Sequence, residues 1–224
     1  MDINYWDFLF DTIKKTLDKR NISLPSVSLI ALNFNKNPFC ILISTIISLR
    51  TKDKITLEAS NRLFKLTTDP TTLLKLKKKT IEEAIYPCAF YKRKTENIIK
   101  ISKILVEEYD NKVPNTSQNL LKLPGVGIKT ANLTLNLAFD INAICVDCHV
   151  HQIANRMGWI KTKTPEQSEK ELQKIMPKKY WIILNELLVN YGQHICTPIN
   201  PKCNECPLEK VCLKINVKTK NLPS

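Results

Sequence analysis

Apolar residues recur three and four positions apart along almost the whole of this chain, at 3–18, 39–49, 54–66, 95–109, 128–139, 147–157, 166–175 and 179–190. That spacing gathers them on one face of a helix, and no segment alternates apolar and polar residues over the length of a strand. Helix-start signals agree. Asp69-Pro70 and Thr164-Pro165 each set a capping residue before a proline that opens a helix, and Thr164 to Gln167 has the spacing of a capping box. An all-α protein is expected. No Gly/Ser-rich linker and no solenoid-type repeat interrupts it, and composition shifts only near the end, where four cysteines fall within 196–212. The polar, basic segment that follows, 214–224, is expected to be disordered.

Lysine and arginine number 34 against 21 acids, a formal charge of +13 on 224 residues. A balance that basic suits an acidic partner such as nucleic acid or a membrane surface. The first residues, MDINYWDFLFDTIKK, offer neither a basic n-region nor a cleavage site. The most apolar run, 39–49, is too short to cross a bilayer. These features predict a cytoplasmic protein with no membrane role, in which the eight cysteines serve as metal ligands or buried thiols rather than disulfides.

The chain has only four glycines, yet two of them, Gly125 and Gly127, stand two positions apart in LPGVG, between the helical patterns at 117–122 and 128–139. Glycine is cheap at positive φ and lets another backbone come close, so this is read as a tight helix–hairpin–helix reversal. Its amides, at a helix N-terminus, would hold a phosphate without reading sequence. Lys129 follows in the first turn of the next helix, aimed at whatever the hairpin grips; to act as a nucleophile its amine must shed its proton. Asp147 stands where a further helix begins, in the position of an N-cap. Cys196, Cys203, Cys206 and Cys212 have the pattern C-x6-C-x2-C-x5-C, compact enough to close a metal site; spacing alone leaves zinc and iron–sulfur both open. Cys145 and Cys148, like Cys40 and Cys88, are read as small buried residues.

LPGVGIKTANLTLNLAF, the later AICVDCHVHQIANR and the cysteine spacing together resemble the endonuclease III family of helix-hairpin-helix DNA glycosylases, over about residues 38–212. The resemblance implies two helical domains with an intervening cleft. One, 25–141, would be a helical barrel carrying the hairpin; the other would combine 1–24 with 142–224 around a [4Fe–4S] cluster. It implies Lys129 as nucleophile and Asp147 as the essential carboxylate that stabilises charge at C1′ of the target nucleotide. The four cysteines would be the cluster ligands, and Gly125, Val126, Gly127 and Lys202 phosphate contacts. Arg50, where the family usually has glutamine, and Phe90 would fill the gap left by the flipped base. The loop before Asp147, at 139–142, lacks the family's usual glycine or proline, but the interval from Lys129 to Asp147 is kept, so the role goes to Asp147 rather than Asp140. His149 is expected to be structural.

The activity implied is that of a bifunctional DNA glycosylase/AP lyase of base excision repair. It would act as a nucleoid-associated monomer on double-stranded DNA with a damaged base or abasic site. It would remove oxidised pyrimidines and cut the abasic strand by β-elimination through a lysine Schiff base. One alternative is a monofunctional mismatch or uracil glycosylase of the same fold, against which Lys129 stands. Another is a non-catalytic hairpin DNA-binding protein with a four-cysteine zinc site, which leaves Lys129 and Asp147 without a role.

Overall fold

The computed structural model describes residues 2–217. Among these residues there is no strand, and twelve α-helices follow one another. They are α1 (Ile3–Lys19), α2 (Ser26–Asn33), α3 (Pro38–Ser48), α4 (Asp53–Phe64), α5 (Pro70–Leu73) and α6 (Lys78–Ile85). After these come α7 (Tyr91–Glu108), α8 (Ser117–Leu120), α9 (Ile128–Phe139), α10 (Cys148–Arg156), α11 (Pro165–Ile175) and α12 (Trp181–His194). The caps read from the sequence are in place: Asp69 accepts from the Thr72 amide, and Thr164 from the Gln167 amide. Gln167 answers by accepting from the Lys163 amide at 2.9 Å, one residue before the cap. Among the described residues no helix is long and apolar enough to cross a membrane.

The helices form two compact units, Pro25–Ala143 and a second made of the chain up to Leu24 together with the chain from Ile144. In the first, α3 is the axis. All nine residues from Phe39 to Ile47 are buried, because α2, α4, α7 and α9 pack around it. A helix apolar on every side is stable only when enclosed, which accounts for the apolar run at 39–49. Truncating a fully enclosed residue such as Ile43 to alanine costs roughly 2–5 kcal/mol. Helix α2 was not legible in the periodicity: its SVSLIALN has apolar residues on more than one side and little directional contrast.

In the second unit, α1 packs against α12, and α10 against both α11 and α12. The apolar stripe of α1, from Trp6 through Leu9, Phe10 and Ile13 to Leu17, is buried. Trp6 meets Trp159 edge-on, and Phe10 stacks on Tyr180 with ring centroids 4.3 Å apart. The segment expected to be disordered begins in ordered form. The Ile215 amide donates to the Arg156 carbonyl at 3.1 Å, and Lys214 pairs with Glu209 at 2.7 Å. Residues 218–224 lie outside the described residues.

Candidate active site

The hairpin is built from two glycines that do different work. Thr116 caps α8, and the turn closes through the Leu123 amide on Leu120 and the Val126 amide on Leu123. Gly125 has φ +79°, where any other residue is strained. A Cβ there would stand 2.4 Å from Asn97 Nδ2, so the hairpin backbone lies directly on α7. Gly127 instead is extended at φ −98° as the N-cap of α9. The expectation that both glycines serve the reversal therefore holds for Gly125 alone. Around Gly127 nothing beyond its chain neighbours lies within 4 Å of an ideal Cβ, and no side chain caps α9. The two exposed glycines flank Val126, which is buried in the core and anchors the turn. Lys129, half-buried, sits in the first turn of α9.

Arg50 and Phe90 are exposed on the same unit, Phe90 with 62% of its surface in solvent, which removes core packing as its role. Both have left-handed backbone, φ +55° and +57°. With Gly125 and Asn97 they line one open cavity of ≈ 550 Å³. Beneath them lies a residue the sequence reading passed over. Lys94 is buried, and its Nζ donates to the Ile47 carbonyl at 2.6 Å and to Thr51 Oγ1 at 2.8 Å. Burial draws its amine down from 10.5 to about 8, with Cys88 acting weakly the other way. The signal was available: Lys94 falls on the stripe it shares with Ile98, Ile101 and Leu105.

On the second unit, Asp147 is the N-cap of α10, 7% exposed, with Oδ1 accepting from the amides of His149 and Val150, both at 2.9 Å. Asp140 is different in kind, an exposed residue after α9 paired with Lys36 at 2.7 Å. The ring of His149 packs on Gly192, where a Cβ would lie 2.5 Å from Nδ1. Cys145 is buried, but Cys148 is exposed, contrary to expectation, because the first residue of α10 faces away from the buried stripe of Val150, Ile153 and Ala154. Cys40 and Cys88 are buried, and desolvation pushes the Cys40 thiol up to about 12, as inert packing thiols require.

Cys196, Cys203, Cys206 and Cys212 line one recess, together with Tyr191, Arg156 and Lys214. Burial raises the thiols of Cys196, Cys203 and Cys212, while Arg156 and Lys214 pull in the opposite direction. Arg156 places Nη1 3.3 Å from Cys196 Sγ and bonds the carbonyls of Thr197 and Pro198, both at 2.8 Å. The Tyr191 hydroxyl lies 3.0 Å from Cys206 Sγ. Among the described residues no three His, Cys, Asp or Glu converge as a shell for a single metal ion. Lys202 is exposed on the segment between Cys196 and Cys203.

An all-helical chain with a hairpin of this kind has the architecture of a helix-hairpin-helix DNA-repair protein, and residues 43–178 match the HhH-GPD superfamily base excision DNA repair protein family. Endonuclease III of Thermotoga maritima is 46% identical over 176 residues, 79% of this chain and 83% of that protein. Two solved structures are similar. A trapped endonuclease III–DNA covalent intermediate in an estranged-adenine complex has TM-score 0.75 and 33% identity, covering 79% of this chain and 84% of that one. A non-covalent endonuclease III–DNA complex has TM-score 0.78 and 28% identity over 96% of both chains. The chain belongs to the endonuclease III family of the HhH-GPD superfamily.

Proposed function

We propose that this base excision repair protein is a bifunctional DNA glycosylase/AP lyase acting on oxidised pyrimidines, with Lys129 as nucleophile and Asp147 as its carboxylate. The observation that carries the reading is the position of Lys129, in the first turn of α9 and two residues past a hairpin whose N-terminal approach is open. The related endonuclease III was trapped in a covalent intermediate with DNA.

The chemistry balances with the groups at hand. Hairpin amides and the positive end of α9 hold a phosphate, while Arg50 and Phe90 occupy the duplex in place of the extruded nucleotide. The neutral Lys129 amine attacks C1′, and the base departs with the electrons of the glycosidic bond. Nitrogen then passes one of its two protons to O4′ as the C1′–O4′ bond breaks, and its lone pair forms the C1′=N bond of an iminium, leaving the ring oxygen as a hydroxyl. Loss of a C2′ proton shifts electrons to break the C3′–O bond, which cuts the strand 3′ to the site, and water releases the enzyme. The Asp147 carboxylate opposes the positive charge that builds at C1′; fixed by two amides, it needs no reorganisation to do so.

The four cysteines suit a [4Fe–4S] cluster better than a single ion. A cluster takes one thiolate per iron, so its ligands need not converge on one point, and they share a recess beside the cationic Arg156 and Lys214. The cluster, when bound, ties residues 196–212 into the fold. Acting on duplex DNA, such a protein belongs beside it, at the nucleoid in the cytoplasm on this proposal.

The test is a set of duplexes carrying thymine glycol, dihydrouracil, uracil, a G:T mismatch or an abasic site, with and without borohydride. A covalent adduct on the oxidised pyrimidines, absent from Lys129→Ala, is the expected result. An adduct undiminished in Lys129→Ala, or base release with no strand cut, would overturn the assignment.

A further inference from the structure

We infer that Lys94 is a positioning residue for duplex penetration, a buried cation that holds the two segments bearing Arg50 and Phe90 in one register. It rests on the reading of those two side chains as the groups that enter the duplex.

The geometry is that of a double clamp. The Lys94 amide donates to the Phe90 carbonyl at 3.0 Å, closing the first turn of α7 around Phe90. Its Nζ donates to Ile47 at 2.6 Å and Thr51 at 2.8 Å, one on each side of Arg50 in the chain. Ile47 lies in the last turn of α3, where carbonyls lack partners within the helix and the dipole favours a cation. There the helix stops: Leu49 turns extended, and Arg50 goes left-handed at φ +55°. A bulky residue in that region costs on the order of 1–3 kcal/mol and persists only where its surroundings over-determine it. Phe90, at φ +57°, makes the same demand from the other side. One residue, its backbone amide bonded to the Phe90 segment and its amine to the Arg50 segment, meets both demands.

A lysine is a costly way merely to fill a core, since burying its charge lowers its amine to about 8. The residues that continue its stripe into the core, Ile98, Ile101 and Leu105, are apolar. The cation buys a fixed spacing between two exposed side chains, Arg50 and Phe90, that no contact between those side chains would fix.

The experiment uses a duplex with 2-aminopurine opposite a tetrahydrofuran abasic analogue, whose fluorescence rises when the opposite base is unstacked. Lys94→Met and Thr51→Val are compared with wild type, and each is repeated in an Arg50→Ala/Phe90→Ala background, with circular dichroism confirming the fold. Lys94→Met should lose most of the rise and about tenfold or more in kcat/KM on duplex substrate. In the doubly substituted background it should remove nothing further. A folded Lys94→Met protein with a full fluorescence rise, or one whose loss adds undiminished to that of the double variant, overturns the inference while leaving the role of Arg50 and Phe90 intact. If Arg50→Ala/Phe90→Ala itself keeps the full rise, both fall together. Should Lys94→Met not fold, Thr51→Val, which removes one acceptor and keeps the cation, decides on the same criteria.

Discussion

Gly125 and Asn97 are in such close approach that a Cβ on the glycine would stand 2.4 Å from the amide nitrogen of the asparagine, whereas a Cβ on Gly127, two residues on, would meet nothing within 4 Å beyond its chain neighbours. The glycines of one turn thus answer to different constraints, one to the fold and one to whatever the hairpin binds. Gly125→Ala should destabilise the protein by about 1 kcal/mol through its positive φ, with Asn97 swinging aside. Gly127→Ala should leave the melting temperature unchanged and still weaken binding to abasic duplex, because its methyl would intrude on the phosphate position proposed for the hairpin. Thermal melts and equilibrium binding on the two variants check this, and equal stability losses would refute it.

Asp147 combines an N-cap with a charge, and the two can be separated. Asparagine caps a helix about as well as aspartate, so Asp147→Asn should keep the two bonds to His149 and Val150 and nearly all of the stability. Its glycosylase rate should fall by about 10²–10³, the usual effect of removing one preorganised charge-stabilising group. Asp147→Ala should lose activity and also about 1 kcal/mol of stability. Single-turnover base release measured beside denaturant titrations resolves the two losses.

Much of this was written in the chain. Helix periodicity marked the long helices, and Thr164 and Asp69 marked two starts, because caps and stripes are local features. The hairpin was visible as LPGVG. The separate duties of Gly125 and Gly127 were not, since they depend on the tertiary neighbour Asn97, 28 residues away in sequence. Lys94 was hidden for a related reason: its acceptors are 47 and 43 residues distant, and in so basic a chain a lysine draws no notice. Cys148 was misjudged because one residue's rotation on α10 separates a buried thiol from an exposed one.

Lys94 should leave a mark on the pH dependence of stability. Its folded amine titrates near 8 against an ordinary 10.5, so between those values the unfolded chain binds more protons and stability rises with pH. Below about pH 8 the buried charge costs the fold its full penalty; by about pH 10.5 that penalty is gone. A shift of this size corresponds to roughly 3 kcal/mol. Urea titrations from pH 7.5 to 10 should therefore show wild type gaining on Lys94→Met as pH rises. A constant difference between the two would contradict the burial of a charged amine.

The cysteine recess makes a prediction that needs no activity assay. Protein purified without oxygen should be yellow-brown and contain iron, whereas a zinc thiolate site is colourless because Zn²⁺ is d¹⁰. Cys203→Ser or Cys212→Ser should bleach it. Both should also open residues 196–217 to proteolysis, since little regular structure beyond two short 3-10 turns holds that segment. Iron analysis and limited digestion give two readouts; colourless wild-type protein with stoichiometric zinc would reject the cluster.

Lys202 is the only basic residue between Cys196 and Cys203, and it is exposed. If that segment touches a phosphate, this lysine is the side chain to do so. Phosphate contacts release counterions, each adding about −0.9 to the slope of log K against log salt on duplex DNA. Lys202→Ala should therefore flatten that slope by about one and weaken binding to every duplex alike, damaged or intact, because a phosphate contact carries no base information. Arg50→Ala should instead weaken binding to damaged duplex more than to intact duplex, since in the role proposed for it the side chain engages only where a nucleotide has left the stack. Binding isotherms for both variants at four salt concentrations separate the roles; an unchanged slope for Lys202→Ala would show that the segment between the cysteines stays clear of the backbone.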